Sequence, residues 1–183
     1  EVDTHMSKNN EWGAVAYLTQ SIYGRCTSNT TCTEVGINNN KSYVTGYGAP
    51  AGSDTSVTNG AYNTTLGKDA STTGTIYGIY DMSGGASEHV MGVYSNTISY
   101  SGFSSLPDTK YYNNYTGSFY TGHALTETSG WYSDNAGFVS TGGPWFLRGG
   151  RYSNSSYAGV FYFSYDYGVS NAYFSSRLVI SNE

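Results

Sequence analysis

Hydrophobic residues in this chain fall into a few short groups separated by polar, glycine-rich stretches. In "NNEWGAVAYLTQSIYG" (residues 9–24), Trp12, Val15, Ala16, Thr19 and Ile22 recur at helical spacing. That spacing predicts a helix packing Trp12 inward, capped at its start by Asn9 or Asn10 and ended by Gly24. Residues 26–75 are rich in Gly, Asn, Thr and Ser, with "GYGAPAGSD" as the clearest turn cluster. They read as ordered loops, because Tyr43, Val44, Tyr47 and Tyr62 still offer burial. From Ile76 onward the short runs "TIYGIYDM", "EHVMGVY", "PWFLRGG", "AGVFYF" and "RLVI" are strand candidates. Within "GVFYF", alternation sets Val160 and Tyr162 on one face and Phe161 and Phe163 on the other, so one pair is expected in the core.

Composition narrows the function. A length of 183 residues suits one domain. Only 11% of residues are charged, so solubility rests on hydroxyls, amides and tyrosine tips, which favours an extracellular setting. Eight Lys and Arg face 13 Asp and Glu, and no basic stripe could neutralise a row of phosphates, so nucleic acid is not an expected partner. No apolar run reaches the ~20 residues of a membrane span. The first residue, Glu1, is not a start methionine, and the chain reads as an excised or processed segment, from which a targeting or anchoring element can be missing.

Cys26 and Cys32 lie in the polar stretch "GRCTSNTTCTEVG", while His5, His89 and His123 are scattered, so nothing nearby completes a metal-ligand set. A local disulfide is the preferred reading. It would contribute about 2 kcal/mol through loop closure and imply an oxidising compartment. Two free thiols in a reduced protein are the alternative.

Three stretches in order, "NNEWGAVAYL", "GIYDMSGGASEHVMG" and "WFLRGG" followed by a terminal "SSRLVI", resemble the domain shared by formylglycine-generating enzymes and their non-enzymatic relatives. The resemblance spans nearly the whole chain. It departs from the family pattern at Gly85 (family Asn), Ser87 (family Trp) and Ser176 (family Phe). The fold it implies is α+β: a loop-rich C-type-lectin-like domain with few helices and a small twisted antiparallel sheet. It also implies buried, hydrogen-bonded roles for Arg148 and Arg177, which would hold a turn and the last strand together.

The family's oxidative chemistry needs two C-terminal cysteines, and no cysteine follows Cys32. The clustered histidines of its iron-dependent relatives are lacking too. There is no G-x-S-x-G elbow, and Glu88 and His89, as neighbours on a strand, would point to opposite faces. The E-P-N, Q-P-D and W-N-D signatures of sugar-binding C-type lectins do not occur. The chain is therefore expected not to be an enzyme and to require no cofactor. A structural calcium is the one ion the resemblance implies, held by Asp81, backbone carbonyls at Gly84 and Ala86, and Glu88. The alternative is that Asp81 caps a turn and Glu88 takes a buried hydrogen bond without metal.

The segment "RYSNSSYAGVFYFSYDYGVSNAYFSSR" (residues 151–177) holds six Tyr, seven Ser, two Asn and one Asp, and residues 152–176 contain no Lys, Glu, Gln, Trp, Met or Pro. Randomising the first two bases of an Asn codon ending in a pyrimidine cannot encode Lys, Glu, Gln, Trp or Met, and readily encodes what is present. The segment thus resembles the variable region of diversity-generating retroelement target proteins, many of which use this lectin-like fold. Physically, Tyr supplies rigid contact area with a polar tip, and Ser, Asn and Gly supply adaptable hydrogen bonding, as in antibody loops.

The expected ligand-facing residues are Tyr152, Ser153, Asn154, Ser155, Ser156, Tyr157, Ser164, Tyr165, Asp166, Tyr167, Ser170, Asn171 and Tyr173. Trp131, Tyr132 and Trp145 are expected to support or border them. The expected scaffold is Arg148, Gly149, Gly150, Ala158, Gly159, Phe161, Phe163, Gly168, Arg177 and Val179. The resulting reading is a binding protein at a bacterial, phage or cell surface, with residues 148–180 as the variable region and an unknown protein or glycan as partner. A structural adhesin or pilin-tip domain without a diversified site is the alternative, and a sulfatase-modifying-type enzyme a second, disfavoured one.

Overall fold

The run "NNEWGAVAYLT" turns helical because Trp12, Ala16 and Thr19 fall on one side and all three are buried. In the computed structural model, which describes residues 2–48 and 62–182, this is helix α1 (Asn9–Thr19), preceded by strand β1 (Val2–Met6). Neither asparagine caps the helix. Lys8 occupies the cap position, and its N–H donates to Glu11 at 2.8 Å. Asn9 lies inside the helix and is fully buried, while Gly24 and the exposed Ile22 lie beyond the helix end at Gln20.

The loop-rich middle carries a small hairpin, β2 (Cys26–Ser28) and β3 (Thr31–Cys32), and a one-turn helix α2 (Thr65–Asp69). Cys26 and Cys32 are register partners and disulfide-bonded. Tyr47 is buried as expected, whereas Val44 and Tyr62 are exposed, and most of the "GYGAPAGSD" cluster lies outside the described residues.

The main sheet joins strands distant in sequence: β4 (Ser87–Tyr94), β5 (Asn113–Tyr115), β6 (Trp145–Arg148), β7 (Phe163–Asp166) and β8 (Phe174–Ser175). Its order is β5-β4-β6-β7, with β8 pairing the start of β4 in parallel. The last strand, β9 (Leu178–Asn182), closes back on β1 as a separate antiparallel ribbon. Few helices and small, mostly antiparallel sheets make the fold α+β.

Register sorts the side chains. Glu88, Val90, Phe146, Arg148, Phe163 and Tyr165 share one face of the sheet, and His89, Trp145, Leu147, Ser164 and Asp166 share the other. The first face meets α1, with Trp12, Val90, Phe146, Phe161 and Phe163 in one core cluster. All four residues of β6 are buried, so the second face is covered as well.

Two strand expectations are corrected. "TIYGIYDM" forms turns and bends, with Tyr77, Ile76 and Ile79 exposed. "AGVFYF" becomes a strand only at Phe163; the preceding residues turn, and Val160, Phe161, Tyr162 and Phe163 are all buried. A turn can bury consecutive side chains, which an alternating strand with one wet face cannot. The turn is packed tightly: Trp12 Nε1 donates to Val160 O at 2.7 Å, and a Cβ at Gly159 would overlap the Asp134 carboxylate.

Candidate functional site

The Tyr- and Ser-rich segment leaves the sheet at the end of β6. Gly149 and Gly150, at φ 78° and 71°, turn the chain through a region costly for any other residue. A short 3-10 stretch, Tyr152–Tyr157, follows. Asn154 holds this turn internally: its Oδ1 accepts from Arg151 N–H at 2.7 Å. Ser155 adopts φ 52°, and Ser155 and Ser156 are half-buried while Ser153 is exposed.

Tyr152 and Tyr173 meet at 6.1 Å between ring centroids; Tyr43 from the loop region joins Tyr152 at 5.7 Å, and the Arg151 guanidinium lies 5.1 Å over Tyr173. Tyr43 and Arg151 were not anticipated, the first because it lies more than a hundred residues away. Tyr157 (61% exposed), Tyr165 (53%) and Tyr167 (49%) also face solvent but make no ring contact among the described residues. The Tyr165 ring lies against Gly143, where a Cβ would stand 2.6 Å from it. Ser164 is half-buried, and Ser170 and Asn171 are exposed; Asn171 Oδ1 accepts from Tyr173 N–H at 3.0 Å.

Asp166 does not face outward. It is buried, its Oδ1 accepts from Gly168 N–H at 2.7 Å, and the same oxygen lies 3.7 Å from His89 Nε2. Trp145 is likewise buried, donating from Nε1 to Ile98 O at 3.0 Å. Trp131 and Tyr132 pack on Phe161, with Trp131 partly exposed. The scaffold residues Arg148, Ala158, Gly159, Phe161 and Phe163 are buried, whereas Val179 is half-buried.

Beneath the segment lies Asp134. Its Oδ2 accepts from Phe161 N–H at 2.9 Å, while Oδ1 has no partner among the described residues. Burial, resisted by the Phe161 hydrogen bond, pushes this carboxyl up to about 7; burial and the nearby Asp134 charge push Glu34 up to about 8. Both carboxyls therefore hold protons more tightly in the folded chain than in the unfolded one. Stability accordingly grows as pH falls from about 8 toward the ordinary carboxylate range. We expect wild type to gain stability on Asp134→Asn by up to about 1.4 kcal/mol per pH unit lost from about 7 down to the ordinary carboxylate range. Urea midpoints of both proteins from pH 8 to pH 5 measure this, and parallel lines would refute the assignment.

The expected calcium residues form a different arrangement. Glu88 is buried and accepts from Arg177 Nε at 2.6 Å and Nη2 at 2.5 Å. Arg177 Nη2 also donates to Tyr80 O and Asp81 O, both at 3.2 Å, and the Asp81 Oδ1 accepts from Gly46 N–H at 3.1 Å. Gly84, at φ 76°, is pressed against Asn38, and Ala86 lies in the same turn. As arranged, the Glu88 carboxylate and the Asp81 backbone carbonyl hold a guanidinium, which a calcium ion at Glu88 would have to displace. Glu88 and His89 point to opposite faces of β4 and do not meet.

His89 opens instead into a pocket of about 360 Å³ on the second face of the sheet, lined among others by Met6, Met91, Phe103, Trp145 and Phe174. Ser170 and Asn171 of the Tyr- and Ser-rich segment also line it. Nothing in the local sequence marks this pocket, since its walls come from five separate stretches. Among the described residues no helix is long and apolar enough to cross a membrane. No protein-family model matches the chain, and no curated protein matches it.

Proposed function

We propose that this chain is a non-catalytic ligand-binding protein of lectin-like fold, displayed at a cell or virion surface, whose C-terminal segment is a diversified recognition surface. The observation that carries the reading is how burial divides that segment. Tyr157, Tyr165, Tyr167 and Tyr173 stay exposed, while the interleaved Ala158, Val160, Phe161 and Phe163 are buried. Large aromatic area left in solvent on a rigid frame suits binding better than folding. The Cys26–Cys32 disulfide fits an oxidising, external setting.

Association alone accounts for such a surface: tyrosines bury area against the partner, and neutral hydroxyls and amides adapt around them. The quadruple change of Tyr157, Tyr165, Tyr167 and Tyr173 to Ser should lower stability by less than about 2 kcal/mol, because these rings are half in water already. Sequencing the DNA around the gene tests diversification directly. The expected finding is a nearby imperfect repeat of the segment's coding sequence with adenines at the codons of the exposed residues, beside a reverse transcriptase gene. A locus without either would leave a fixed structural module and sink the proposal.

A further inference from the structure

The pocket beside His89 joins surfaces of different origin. Its floor belongs to the sheet and to β1: His89 and Met91 from β4, Trp145 from β6, and Met6. Its rim belongs to the Tyr- and Ser-rich segment through Val169, Ser170 and Asn171. The floor is held rigidly. Trp145 is pinned by its bond to Ile98 O and by the Phe103 ring stacked at 5.6 Å. The rim reaches this indole only because residue 168 is glycine, at φ 87° and with a would-be Cβ 2.7 Å from Trp145 Cδ1. Phe174 stands edge-on to His89 at 5.0 Å, and His89 Nε2 lies 3.7 Å from Asp166 Oδ1, beyond hydrogen-bond reach.

We propose that this pocket takes one aromatic side chain of a protein partner, with the polar edge of that ring turned to His89. The inference rests on the recognition surface proposed above. The volume, at the small end of the ~300–1,000 Å³ of ligand pockets, suits one ring. Met6, Met91, Phe103, Trp145 and Phe174 offer thioether and ring-edge contacts. Ser101, Ser170, Asn171, Ser175 and Ser176 also line the pocket, but apolar surface predominates, which suits an aromatic ring better than a sugar's ring of hydroxyls. Val169, Ser170 and Asn171 of its lining are exposed, and they belong to the segment whose Tyr167 and Tyr173 also face solvent, which supplies the flanking area a protein partner needs and a free small molecule does not. Substitution at Ser170 or Asn171 would then change which partner fits, while the buried floor keeps the demand for an aromatic anchor.

Indole N–H signals give the test, since Trp145 lies in the floor whereas Trp12 is in the core and Trp131 packs on Phe161. Labelled full-length protein is titrated with p-cresol, with a blocked Gly-Tyr-Gly peptide, and with methyl glucoside. The expected result is a saturable shift of the Trp145 signal with p-cresol and with the peptide. Trp12 and Trp131 should stay still, and methyl glucoside should have no effect. Ser170→Trp, which fills the mouth, should weaken p-cresol binding at least tenfold without moving the other two indoles. An unmoved Trp145, an equal response in Ser170→Trp, or a response to the glucoside overturns the proposal. Binding of p-cresol with exclusion of the peptide would overturn the protein partner and leave a small-molecule pocket. None of these outcomes depends on the gene's locus, so pocket and diversification fail separately.

Discussion

Arg148→Ala should lower the free energy of unfolding by about 3–5 kcal/mol, measured by urea denaturation at neutral pH. The guanidinium is completely buried, and burial pushes its ionisation down. Among the described residues no carboxylate bonds it directly. It donates instead to Asn9 Oδ1 and His123 O, both at 3.2 Å, and to Ala124 O at 2.7 Å, with the Trp12 ring 5.5 Å away. Truncation opens a cavity and orphans three acceptors, each costing about 1–3 kcal/mol when left unsatisfied in the interior. The same residue precedes the Gly149–Gly150 turn into the tyrosine segment, so damage should reach the proposed recognition surface. Arg148→Lys should be intermediate, because one ammonium cannot span acceptors spread around a planar fork. A loss below about 1 kcal/mol for Arg148→Ala would mean that these acceptors find water and that Arg148 does not hold α1 to the sheet.

What could be read from the sequence follows from where each signal resides. "EHVMGVY" and "WFLRGG" announced strands because both faces of the central sheet are covered and their apolar runs are dense. β1, β5 and β8, with the sequences VDTHM, NNY and FS, are short or polar and gain strand geometry only from their partners. "AGVFYF" looked equally strand-like, yet Asp134 draws the Phe161 N–H inward and a turn results. Asn9 had the side chain of a helix cap, but Arg148 uses it as a buried acceptor.

At the site, exposed Tyr157, Tyr165, Tyr167 and Tyr173 follow the composition of the segment, but Tyr162 within it is buried, and composition does not tell the two apart. Asp166 was not legible: its polar side chain turns inward to a Gly168 N–H and His89, contacts set by topology. The pocket escaped for the same reason, because His89, Phe103 and Trp145 become neighbours only in the folded sheet.

Arg177→Ala should cost a similar 3–5 kcal/mol at neutral pH, for a different reason. Glu88 is 5% exposed, and removing its guanidinium leaves a carboxylate buried without compensation, alongside the freed carbonyls of Tyr80 and Asp81. Burial already raises the Glu88 pKa, opposed by Arg177; without that opposition it rises further. A carboxyl whose folded pKa is raised gains stability as pH falls through it. The deficit of Arg177→Ala should therefore shrink between neutral pH and the ordinary carboxylate range, whereas that of Arg148→Ala should not. The double variant Arg177→Met with Glu88→Met should recover most of the loss, since an apolar pair of similar size carries no desolvation cost.

Calcium supplies the opposing outcome. With Arg177 in place, millimolar calcium should leave the wild-type Tm unchanged, because the guanidinium already fills the position facing Glu88 and the Asp81 carbonyl. A calcium-dependent rise in the wild type would mean that Glu88 exchanges its arginine for the ion, and that the start of β4 is held by a metal rather than by the last strand.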